Sequence, residues 1–248
     1  MLKILRSECL KIISSRSFWV ILVLAIVLQP LMGLMEIKEI VKIGLDATPA
    51  TNPELTEAIG PLKYLGFDVT DLGLMPIVVW GAIMGAQEFR NHNLRTTLLS
   101  VNNRVKILAG KIGAFSFLTV LIAFFSIYLT VGITHVFLGS KGLNPILLSS
   151  ATWQHLGLTV INWLLLSLIS FGLGFICRTP IIPLVFMIAQ MYGMTDKWTW
   201  GHYLPVAAGN DLLSVHSFNS IMILLGWLII SITLAYYSFI RLDLGGKY

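Results

Sequence analysis

The sequence predicts an all-α membrane protein: six transmembrane helices, an N-terminal interfacial amphipathic helix, and both termini in the cytoplasm. Three observations predict this: the composition, a series of apolar runs of span length, and the placement of Lys and Arg. Hydrophobic residues fill 56% of the 248 positions, charged residues only 12%, and the mean hydropathy is +0.83. An ordinary soluble domain is about one quarter charged. A chain with half that share has too little polar surface to face water on all sides. Its net charge of +5 does not read as a nucleic-acid footprint. The basic residues sit between apolar runs, where they mark cytoplasmic loops and lipid headgroup contacts, so no nucleic-acid partner is expected.

The first element is residues 1–16, MLKILRSECLKIISSR. No small-residue cleavage site closes the apolar run that follows, so the segment is not a cleavable signal peptide. On a helical wheel Leu2, Leu5, Cys9, Ile12 and Ile13 share one sector, with Lys3, Ser7, Lys11 and Ser14 opposite. That is the stripe of an amphipathic helix suited to the inner headgroup layer.

A span needs about 20 mostly apolar residues. The candidates are 18–35, 72–87, 112–138, 153–177, 181–195 and 218–240. The second and fifth are short. The fifth begins beside Pro180 and Pro183 and fades near Gly193, which suits a bent or partial element whose freed backbone groups are satisfied by neighbouring helices. With the N-terminus inside, 12 of the 17 Lys and Arg residues fall in the cytoplasm, and nine of the 12 acids fall outside. This is the positive-inside bias. It makes 88–111 the substantial inner loop, 36–71 an acidic outer loop, and 196–217 an outer re-entrant or interfacial segment. The whole chain, 1–248, reads as a single transmembrane domain. Cys9 and Cys177 both fall on the inner side, so no disulfide framework is expected.

Several chemistries drop out. Between the expected span ends there is no Asp, Glu, Lys or Arg, whereas ion-coupled carriers rely on ionisable groups within the membrane. The chain carries no Walker-type G-x-x-x-x-G-K-[ST], no G-x-S-x-G and no H-E-x-x-H. His135, His155, His202 and His216 follow no metal-ligand spacing. No catalytic residue, metal or cofactor is therefore expected in this chain. The interior polar residues Gln29, Gln87, Asn162, Ser167, Ser170 and Gln190 read as helix–helix hydrogen-bonding groups, and Gly81 with Gly85 as a small-x-x-x-small packing pair.

The inner loop and its flanks read GAQEFRNHNLRTTLLSVNNRVKILAGKIGAF, from Gly85 to Phe115. This resembles the segment of ABC-2 type permeases that follows their second span. There a Glu near the membrane leads to a Thr-Leu-containing short helix, a turn before an Arg, and a Lys opening the third span. Glu88, Thr96, Thr97, Leu98, Arg104 and Lys111 match that pattern. The family commonly has Ser-Pro where this chain has Ser100-Val101, so its turn falls to Asn102 and Asn103. ECLKIISSRSFW (Glu8 to Trp19) is similar to the family's elbow helix. HYLPVAAGNDLL (His202 to Leu213), with Leu204-Pro205, is similar to the segment before its last span.

The resemblance spans the chain and implies a half-size permease subunit of the bacterial cytoplasmic membrane. Such a subunit pairs with a second one, identical or related, and with separately encoded ABC ATPases that hold ATP and Mg. Glu88, Arg90, Arg95, Thr96, Thr97, Arg104, Lys106 and Lys111 would then couple to the ATPase, because a push is transmitted through packed contacts. The same basic residues also serve as orientation charges. Small members of the family resemble exporters of antimicrobial peptides, bacteriocins or peptide toxins, so amphipathic peptides are the expected cargo. Lipids, drugs and cell-wall polymers are the alternatives, and a non-transporting membrane partner of a sensor or enzyme is a further one.

Overall fold

The computed structural model describes residues 2–53, 55, 58–89, 104–193, 198–215 and 217–240, with Leu2, Glu88, Arg104 and Ile240 described by backbone alone. The regular structure within these residues is helical. We label α1 (Leu2–Ile13), α2 (Arg16–Ile43), α3 (Thr70–Ala86), α4 (Arg104–Phe137), α5 (Ser150–Cys177), α6 (Ile181–Met191), α7 (Pro205–Val215) and α8 (Phe218–Ile240). Four of them, α2, α4, α5 and α8, are long and apolar enough to cross a membrane. The expected span 181–195 contains the 11-residue helix α6. At about 1.5 Å per residue it covers about 16 Å, roughly half of a hydrocarbon core about 30 Å thick.

Local chemistry places the helix ends. Ser15 caps α2 by accepting a hydrogen bond from the Phe18 amide at 3.3 Å, and Ser149 caps α5 through the Thr152 amide at 3.2 Å. Arg178 ends α5 in the left-handed region at φ 55°, and its guanidinium lies 5.3 Å from the Phe89 ring centre.

Within α2 the residues Leu24–Leu28 form a π-helical turn. Its cause is local. Pro30 has no N–H to donate, and the Gln29 amide reaches back to the Leu24 carbonyl, leaving the Ala25 carbonyl to an outside partner. The single Ser126 hydroxyl proton of α4 is shared between that carbonyl and Gln29 Oε1, 2.9 Å from Oγ, while Gln29 Nε2 donates to Thr130 at 3.2 Å. A bulge in one helix is thus filled by polar side chains of its neighbour.

The centre of the bundle is the α3–α5 pair. Both helices begin at the same end and run parallel, because Gly81 faces the Ser167 carbonyl and Gly85 the Phe171 carbonyl. A Cβ at either glycine would collide with α5 backbone, so the expected small-residue pair is where two helices meet most closely. Trp80, Trp163, Phe115, Phe171 and Phe175 fill the buried space around that crossing. α2 and α4 pack together on one flank, and α8 packs against α5.

Candidate functional site

Three places gather polar groups: the end of the bundle carrying α1, its interior, and the opposite end, called here the far end. At the α1 end, Ile4 of α1 sits over Gly110 of α4, and Leu5 sits over Gly113. Ile12 is buried and Cys9 half-buried, but Ile13 is exposed. The apolar face is therefore rotated from the expected one: Ile4, Leu5, Cys9 and Ile12 pack on the protein and Ile13 leaves the stripe. The Leu2 side chain lies outside the described residues.

Glu8 occupies the centre of that packed face and is only 2% exposed. Lys111 of α4 donates to Glu8 Oε2 at 2.7 Å, and Lys11, one turn further along α1, donates to Oε1. Burial alone pushes the Glu8 carboxyl up. The Lys111 charge and the hydrogen bonds from Lys11 and Lys111 outweigh burial and hold the carboxyl below its ordinary value. Burial and the Glu8 charge push the neighbouring Cys9 thiol up, so it is a poor thiolate.

Sequence reasoning passed over Glu8. The signal was there: positions 5, 8, 9 and 12 follow the i, i+3, i+4, i+7 spacing of one helix face, so Glu8 is an acid in an apolar register. Lys111, expected among the ATPase-coupling residues, is turned toward Glu8 and is 13% exposed. Lys106 is exposed on the first turn of α4. Arg90, Arg95, Thr96 and Thr97 lie outside the described residues, as do the side chains of Glu88 and Arg104.

In the interior, Gln29 makes the helix–helix bonds expected of it, and Ser170 donates to the Val78 carbonyl of α3 at 2.8 Å. Gln190, near the end of α6, accepts from the Val206 amide at the start of α7 at 3.1 Å. α6 and α7 therefore meet end to end, and Gly209 of α7 lies against Asn162, near the middle of α5. The Trp227 indole of α8 donates to the Tyr203 carbonyl at 2.8 Å, at the same level. Leu204 and Pro205, at the start of α7, are buried. The break between the two short helices thus sits at mid-height of the bundle. Asn162 departs from expectation: its buried amide has no hydrogen-bond partner among the described residues.

The far end holds a cavity of about 450 Å³ between the loop before α3, the first turns of α3 and α5, and α7. Asp68, Asp71, Asn210 and Ser214 are its exposed lining groups. His155 closes one wall, its ring 5.0 Å from that of Tyr64 and 4.6 Å from that of Phe67. Desolvation by the surrounding protein pushes the Asp68 carboxyl above its ordinary value. A second pocket of about 170 Å³ adjoins it, sharing Asp71 and Asn210 and otherwise lined by Leu72, Leu74, Met75, Met191, Tyr192 and Val206. Among the described residues no three His, Cys, Asp or Glu side chains come together as a metal site.

The fold and these sites define a class: an all-α protein of transmembrane character, with an N-terminal helix fastened to the end of its bundle. No family model matches the chain, and no curated protein or solved structure matches it either.

Proposed function

We propose that this chain is the membrane-spanning permease subunit of an ATP-binding cassette exporter of amphipathic peptides, such as antimicrobial peptides, bacteriocins or peptide toxins. It works in the bacterial cytoplasmic membrane with both termini inside, beside a second permease subunit and separately encoded ATPases that supply ATP and Mg. The observation that carries this reading is the joint between α1 and α4. The inner loop runs directly into α4, and Glu8 with Lys111 ties the amphipathic N-terminal helix to the same helix. Force delivered to the loop then reaches an element in the headgroup layer and a long bundle helix together, as a transporter driven from its cytoplasmic face requires. The resemblance of the Glu88–Lys111 loop to ABC-2 permeases supports the choice of an ATPase as the energy source. The mid-height break between α6 and α7 supports transport, since interrupted helices in the membrane are tolerated where they line a cavity or are buried in protein.

The test is affinity purification of the tagged chain from its native membranes. An ABC ATPase should co-purify, and ATP turnover should be absent from the isolated chain and present in the complex. Glu88→Ala with Arg104→Glu should abolish cargo-stimulated turnover while leaving membrane insertion intact. A pure chain that hydrolyses ATP, or one that brings down a sensor or enzyme and no ATPase, would overturn the proposal.

A further inference from the structure

The far-end cavity and the pocket beneath it form one site with two chemistries, joined at Asp71 and Asn210. Its rim carries Asp68 and Asp71, and no Lys or Arg is among the described residues lining either part. Among the described residues, Lys63 beside the site is held with its Nζ 4.8 Å from the centre of the Tyr64 ring. Glu36 lies close enough to Asp68 for their charges to interact and deepens the negative potential. Below the rim the walls become apolar, with Leu72, Met75, Met191 and Val206 on three different helices. The larger part, about 450 Å³, falls in the range of about 300–1,000 Å³ typical of ligand sites.

From this arrangement we infer that the cavity is a binding site for a cationic amphipathic peptide. It receives a Lys or Arg side chain at Asp68 and Asp71 and an adjacent apolar side chain in the pocket below. The two carboxylates replace the water around the cation, and the Asn210 amide and Ser214 hydroxyl add acceptors. Met75 and Met191 let the floor adapt to apolar groups of different shape, because thioether side chains are flexible and polarizable. A fully hydrated ion would leave the apolar floor unused, and an anion would meet only repulsion at the rim. This inference deepens the cargo reading above and rests on it for the biological role, but the binding itself needs no ATPase.

The experiment uses the full chain alone in phosphatidylcholine nanodiscs, with empty nanodiscs as the blank. Fluorescence anisotropy reads the binding of a labelled short peptide of Lys and Leu, and of its counterpart with Gln for every Lys. The Lys peptide should bind and weaken as salt is raised, and the Gln peptide should bind at least tenfold more weakly. The pair Asp68→Asn and Asp71→Asn, which keeps side-chain shape, should weaken the Lys peptide at least tenfold, and Met75→Trp should do the same by filling the floor. Asn210→Asp should tighten binding several-fold, a gain that a misfolded variant cannot produce. Equal binding of both peptides, unchanged binding in the Asp variants, or no gain with Asn210→Asp would overturn the site. Loss of ATP-driven export with peptide binding intact would count against the exporter reading alone. Export intact with cavity variants that bind normally would count against this site alone.

Discussion

Removing the Glu8 carboxylate should undock α1 without dismantling the bundle. Glu8 is 2% exposed, Lys111 13% and Lys11 55%, so the cluster lies between two known regimes. Stranding one member of a fully buried ion pair costs roughly 3–5 kcal/mol, and an exposed pair contributes about 0–1 kcal/mol. With one of the two lysines already half in water, Glu8→Ala should cost about 2 kcal/mol, toward the lower part of that interval. Because α1 packs, among the described residues, mainly on α4 around Gly110 and Gly113 and against α2, the loss falls on local opening of α1. A change of about 2 kcal/mol is about 30-fold in an equilibrium, so backbone amides of α1 should exchange with deuterium about 30-fold faster while those of α5 are unchanged. A mutant cycle assigns the effect to the pair. Glu8→Gln and Lys111→Met should each speed exchange, and the double variant should be slower than their sum predicts. Additive singles, or α1 exchange insensitive to Glu8, would rule out the Glu8–Lys111 pair as what holds α1 in place. The pH dependence has a definite sign. The folded carboxyl is held below its ordinary value of 4.5, so its contribution is complete above that pH and is lost as pH falls further through the depressed folded value.

Three further outcomes follow from the packing and the orientation. Gly85→Ala places a Cβ against the Phe171 carbonyl and should destabilise by about 1–3 kcal/mol, the range for overpacking, read as an earlier thermal transition in detergent. Asn162→Leu should be neutral or stabilising because its amide has no partner to strand, whereas Gln29→Leu should cost about 0.5–1.5 kcal/mol for each bond lost to Ser126 and Thr130, which keep the Ala25 and Ser126 carbonyls as acceptors. Parallel melting curves of the two variants check the contrast. In a background of Cys9→Ser and Cys177→Ser, single cysteines replacing Glu54 and Lys141 should react with an impermeant maleimide on intact cells, and those replacing Arg95 and Lys247 should not. Labelling at Lys247→Cys would sink the proposed topology.

The apolar character of the bundle was legible because it depends on composition and run length, and the four long helices coincide with four of the expected spans. Gly81 and Gly85 were legible for a related reason: small residues at i, i+4 have few uses in an apolar helix other than close approach. The ends of the expected spans were less so. The helix beginning at Arg16 runs on to Ile43, since helix propagation continues through Glu36, Lys38, Glu39 and Lys42 once a nucleus exists, while hydropathy stops at the first charges. The π turn at Leu24–Leu28 depends on a serine about a hundred positions away, and no local pattern shows that. Glu8 stood in an apolar register and was legible in principle, but its partner Lys111 carries no mark that separates it from an orientation charge. The far-end cavity was not legible at all, because Asp68, His155 and Asn210 come together only through the packing of α3, α5 and α7.

The proposed export is tested most directly by transport in inside-out membrane vesicles prepared from cells containing this chain and any ATPase found to co-purify with it. The measurement is the accumulation of a labelled peptide of Lys and Leu, with ATP or a non-hydrolysable analogue, and with an ATPase active-site variant as the control. Accumulation should require ATP hydrolysis and this chain, and should be lost in the Glu88→Ala, Arg104→Glu double variant. Vesicles with an assembled, ATP-hydrolysing complex that accumulate no more peptide with ATP than without would contradict the proposed export.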